Sequence, residues 1–159
     1  TVSSCQDHNI GTAQVNDFCH VPAALIQITN DAPAKFVPGQ NTVTWFGNDG
    51  IDPIATDQQI VTVSGADSTN PTVSCVATRP PGQGFRVTAA DDCGGRLDIR
   101  LGTFLISNGE TIQIQETGQP GVRLLSGDPN GIRHFQVGKG QGIVRATDAS
   151  GNSTNTACR

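Results

Sequence analysis

Thr111-Ile112-Gln113-Ile114-Gln115 alternates polar and apolar residues with a period of two. Successive side chains of a β-strand point to opposite faces, so this run sets Ile112 and Ile114 on one buried face. Similar blocks recur along the chain. Ala24-Leu25-Ile26-Gln27-Ile28, Thr42-Val43-Thr44-Trp45-Phe46 and Gln59-Ile60-Val61-Thr62-Val63 read as strands. So do residues 72–77, 84–89, 98–104, 122–125, 131–137 and 142–147. Turn chemistry separates them, at Asn30-Asp31-Ala32-Pro33, Gly47-Asn48-Asp49-Gly50, Pro80-Pro81-Gly82, Ser107-Asn108-Gly109, Gly118-Gln119-Pro120-Gly121 and Asp128-Pro129-Asn130-Gly131. Nineteen Gly and nine Pro among 159 residues leave little room for long helices. The expected class is all-β, built from short antiparallel strands.

The net charge of −4 argues against a nucleic-acid partner, because phosphate binding needs a clustered basic face. No apolar stretch approaches the roughly 20 residues that span a bilayer, so no membrane span is expected. The chain opens on polar Thr1-Val2-Ser3-Ser4 without a basic start and apolar run, as a mature or trimmed form of a longer precursor would.

The chain begins twice. Thr1-Val2-Ser3-Ser4-Cys5 is echoed by Thr72-Val73-Ser74-Cys75, and Asn16-Asp17-Phe18-Cys19 by Asp91-Asp92-Cys93. Phe36-Val37-Pro38-Gly39 is answered by Phe135-Gln136-Val137-Gly138. Landmarks in the same order imply two tandem modules, 1–67 and 68–159, joined at Asp67-Ser68-Thr69-Asn70-Pro71. Equivalence of positions suggests the disulfides Cys5–Cys19 and Cys75–Cys93, each closing a short loop worth about 3 kcal/mol in the chain-entropy model. Cys158 is then left to stay free, to bridge to another chain, or to displace one of these partners. Five cysteines in two small β modules suit an oxidising, extracellular compartment.

These landmarks resemble the hyalin repeat, an immunoglobulin-like module of extracellular proteins. The late stretch Ala146-Thr147-Asp148-Ala149-Ser150-Gly151-Asn152, followed by Cys158, carries the likeness in the second module. Cys19, the step from Phe36 to Gly39, and Trp45 carry it in the first. Residues 101–133 fall outside the resemblance and read as an inserted hairpin or two. The resemblance implies two immunoglobulin-like β-sandwiches, and adhesion or assembly rather than catalysis. The first module runs on into a closing strand at Gln59–Val63, whereas the second stops at Cys158-Arg159 after the equivalent turn. Its closing strand is expected to be missing, leaving an edge that the insertion fills or that accepts a strand in trans.

Other chemistry is weaker. Cys5-x-x-His8 and Cys19-His20 offer zinc ligand types, but adjacent Cys19 and His20 would face opposite sides of a strand. Asp91, Asp92 and Asp148 are the residues to examine for Ca²⁺, against the ordinary role of acidic turn residues in bonding nearby backbone. No cofactor is otherwise implied. No Gly-x-Ser-x-Gly elbow occurs, and Glu110 and Glu116 are the only glutamates, so the chain is not expected to be an enzyme. Asn152-Ser153-Thr154 has the form of a glycosylation site. Of adjacent Trp45 and Phe46, one would enter a core and the other serve as an exposed anchor or an interdomain contact, or both would be core if the modules pack together. The expected function is structural: assembly with copies of itself into a head-to-tail array or filament, or adhesion to another cell-surface or secreted protein. The alternative is a carbohydrate- or ligand-binding accessory module with residues 101–133 as its recognition surface.

Overall fold

Apolar residues two apart decide the architecture. A computed structural model describes residues 1–16, 25–78, 84–127 and 131–159; Cys19 and His20, the Pro80-Pro81-Gly82 turn and Asp128-Pro129-Asn130 lie outside them. Among the described residues the chain is all-β, with twelve strands. No described helix is long and apolar enough to cross a membrane. The chain folds as two units, Thr1–Asp67 with Asp92–Gly94, and Ser68–Asp91 with Gly95–Arg159.

In the first unit, β1 (Gln27–Asn30), β2 (Gly39–Asn48) and β3 (Ala55–Val63) form one antiparallel sheet in that order. Val43 on β2 and Val61 and Val63 on β3 turn inward, and Val2, Cys5 and the fully buried Phe36 close over them. Val2 donates its N–H to the Thr62 carbonyl at 2.8 Å and accepts the Ser64 N–H at 3.0 Å, tying the chain start to β3. Asn41 staples the turn before β2, accepting the Val37 N–H and donating to the Val37 carbonyl. A two-sheet sandwich was expected here; among the described residues there is one sheet, its inner face covered by irregular chain.

In the second unit, β4 (Thr72–Ala77), β5 (Phe85–Ala90), β8 (Thr111–Thr117), β10 (Arg133–Gly138) and β9 (Val122–Gly127) lie side by side in that order. The second sheet is ordered β12 (Ser153–Ala157), β11 (Ile143–Thr147), β6 (Asp98–Leu101), β7 (Phe104–Leu105). One core draws on both sheets: Val87, Ile112, Phe135 and Val137 from the first, Ile99, Leu101, Val144 and Ala146 from the second. All pairs are antiparallel except β8 with β10, which run parallel.

One expectation about the second half is corrected. The closing strand is present: β12 pairs along its whole length with β11, from Thr147↔Ser153 to Ile143↔Ala157. The stretch 101–133, expected as an inserted hairpin or two, is built into the sheets. It contributes β7, β8 and β9, and β8 is the middle strand of its sheet, with Ile112 fully buried. The expected strand at 98–104 divides because Gly102, at φ +60°, turns the chain between Leu101 and Phe104.

The disulfides also differ from the expected pairs. Cys5 bonds Cys93 and Cys75 bonds Cys158, with Cα separations of 5.0 and 4.7 Å. Cys158 is therefore neither free nor intermolecular. Cys75 stands opposite Val87 in the β4–β5 ladder, so the chain has travelled six residues further before it reaches Cys93. Cys158, by contrast, leaves β12 beside β4, where the Arg159 carbonyl accepts the Ala77 N–H at 3.3 Å. Cys93 is seated in the first unit: Gly94 donates to the Phe36 carbonyl at 2.8 Å and Gln6 to the Asp92 carbonyl at 3.4 Å.

Candidate functional site

Trp45 occupies the inward-facing side of β2, directly across from Asp57 on β3. Its indole Nε1 donates to Gln59 Oε1 at 2.9 Å, and Gln59 Nε2 donates to the Ile10 carbonyl at 2.8 Å. This relay fixes the ring plane and fastens residues 10–13 beside it. Two recesses meet at the indole, one of about 330 Å³ reaching Gly11 and Gln59, the other of about 110 Å³ reaching Ile28 and Ala55. Ala13, Trp45 and Asp57 line both. Trp45 and Phe46 are each half-buried, so neither matches the expected division into a core residue and an exposed anchor. Asp57 is exposed, and its Oδ1 accepts the Gln58 N–H at 2.8 Å.

The acidic residues singled out for Ca²⁺ fall in different units. In the second, Asp91 and Asp148 bring carboxylate oxygens within 4.8 Å of each other. Asp148 is 8% exposed, and its carboxylate accepts three hydrogen bonds, from Ser150 N–H, Asn152 N–H and Asn152 Nδ2, at 2.8 to 2.9 Å. Burial of a carboxylate is tolerated when donors saturate it, and this one organises the turn that launches β12. Asn152, the acceptor residue of the glycosylation sequence, spends its amide on that turn. In the first unit Asp92 approaches Asp67, and the third group beside them is the Cys93 sulfur, which its disulfide removes as a metal ligand. The same holds for Cys5 in the zinc reading; Cys19 and His20 lie outside the described residues.

Glu110 precedes β8 and meets Arg133 at the start of β10, with Nε to Oε1 at 2.6 Å and Nη2 to Oε2 at 2.8 Å. Burial works to raise the Glu110 pKa, but the Arg133 hydrogen bonds, the Ser107 N–H and the Arg133 charge together bring it below the ordinary value. A carboxylate held ionised in this way is poorly suited to donate a proton. Glu116 accepts the Gly140 N–H at 3.1 Å. Elsewhere in this unit an apolar slot of about 500 Å³ opens between Phe85, Ile114, Ile143 and Cys158.

Sequence reasoning picked out Trp45 but not its partners Asp57 and Gln59. Their signal was available: in an antiparallel pair joined near Asn48, residues 57 and 59 on β3 fall on the face that Trp45 and Val43 occupy. Compared with known proteins, the chain matches no family model, no curated protein and no solved structure.

Proposed function

We propose that this chain is a non-catalytic extracellular structural module that associates head to tail with copies of itself. The observation that carries this reading is the division of charge. The first unit holds eight acidic residues and one basic residue, Lys35, a net −7; the second holds six acidic and nine basic residues, a net +3. Opposite signs at the two halves favour a heterologous contact over a self-complementary one, and a heterologous contact propagates. Two disulfides are compatible with an oxidising, extracellular setting, as is the resemblance to the hyalin repeat. The two sheets about one core in the second unit support an immunoglobulin-like reading of it, with β8 as an inserted strand. Since β12 already fills the place beside β11, the association proposed here is by charge and not by a strand supplied from a second molecule.

Sedimentation velocity tests the proposal. Association should grow with protein concentration at low salt and recede as salt rises, because screening over about 10 Å at 0.1 M removes the attraction. A monomer at every concentration in low salt would sink it.

A further inference from the structure

We infer that the recess around Trp45 is a binding site for a neutral saccharide. A sugar ring presents an apolar C–H face and a rim of hydroxyls, and so needs an aromatic plane beside fixed polar groups. The site offers both. The indole cannot turn, because Nε1 is committed to Gln59 and Gln59 to the Ile10 carbonyl. Asp57, across the ladder on the same face, uses Oδ1 for the Gln58 N–H and offers Oδ2 to a hydroxyl. Gly11 and Thr12, both exposed, line the same recess and bring backbone polar groups to it. A volume of about 330 Å³ sits at the lower end of the range of roughly 300–1,000 Å³ for small-ligand sites, enough for one or two sugar units.

The surroundings select among ligands. A net charge of −7 on this unit repels phosphorylated, sulfated and uronate-containing molecules. Trp45 is the sole tryptophan and the one aromatic residue of this recess, so a quaternary ammonium finds no cage of rings. An apolar ligand would strand the Asp57 carboxylate without water. The expected recognition surface at residues 101–133 is a poorer match, since its aromatic residue, Phe104, packs edge-on against Phe135 at 5.5 Å.

Because Trp45 is the only tryptophan, its emission reports the site directly. Chitohexaose, cellohexaose and mannohexaose should be titrated separately, with heparin and choline as comparisons. At least one neutral oligosaccharide should shift the emission saturably, with half-saturation between roughly 10 μM and 1 mM. Asp57→Ala, at an exposed position, should weaken that response about tenfold or more with an unchanged thermal midpoint. Trp45→Ala should abolish binding read by calorimetry. No response to any of the three up to about 10 mM, an undiminished response in Asp57→Ala, or a response to heparin or choline alone would each overturn the assignment.

Discussion

Arg133 holds Glu110 through two parallel hydrogen bonds of 2.6 and 2.8 Å, and the same guanidinium donates to the Leu105 carbonyl at 2.7 Å. It also lies 5.4 Å from the centre of the Phe135 ring. One side chain thus joins β7, the approach to β8, and the aromatic centre of the second core. Arg133→Ala should destabilise the protein by about 2 kcal/mol, measured by urea unfolding, because it leaves Glu110 half-buried without its counter-charge.

The same pair sets a pH dependence. Glu110 titrates below its ordinary value of 4.5 in the folded protein. A carboxylate with a lowered folded pKa contributes stability that is full above the unfolded value and is lost as pH falls through the folded one. Stability should therefore decline below about pH 4.5, and Glu110→Gln should flatten that decline while lowering stability at pH 7. Equal slopes in the two proteins between pH 5 and pH 2 would contradict the assignment.

Disulfide mapping of the unreduced protein should recover peptides joined at Cys5–Cys93 and Cys75–Cys158. Each bridge closes more than eighty residues, with sequence separations of 88 and 83. The chain-entropy model then gives about 4.5 kcal/mol per bridge, so Cys75→Ala with Cys158→Ala should lower stability by up to that amount.

Much of the strand pattern was legible because it is local. Ile112 and Ile114, Phe135 and Val137, and Val144 and Ala146 each lie two apart and point into one core. The landmark phenylalanines Phe36 and Phe135 are the largest fully buried residues of their respective units. What escaped was non-local or polar. Ser153-Thr154-Asn155-Thr156-Ala157 carries no large apolar residue, so β12 resembled the tail of a turn; its pairing with β11 is what makes it a strand. The parallel partnership of β8 and β10 leaves no trace in either segment. The disulfides were misjudged for a related reason: repeat equivalence favours short loops, whereas strand order brings distant cysteines together. At Trp45 the ring was conspicuous, but Asp57 became visible only with the register.

Gly94 offers a further check. A Cβ there would collide with the Lys35 carbonyl oxygen, which belongs to backbone and cannot swing aside. Gly94→Ala should destabilise the first unit by about 1–3 kcal/mol, seen as an earlier thermal transition in Trp45 emission. An unshifted transition would mean that residues 92–94 are not seated against Phe36.

Asp148→Ala should cost about 2–3 kcal/mol, since the N–H groups of Ser150 and Asn152 lose their acceptor together. Hydrogen exchange should show faster amide exchange in Ser153–Ala157 than in β10, because the turn that launches this strand would have lost its organiser.

The two interleaved disulfides also govern how the chain bears load. Pulled between residues 5 and 158, an uncrosslinked polypeptide of this length would pay out to roughly 500 Å. With both bridges intact, the covalent route crosses from Cys5 to Cys93, returns through the backbone to Cys75, and crosses again to Cys158. Only the residues from 75 to 93 can straighten along that route, about 65 Å of slack. Even with every hydrogen bond broken, the molecule would behave as a short tether.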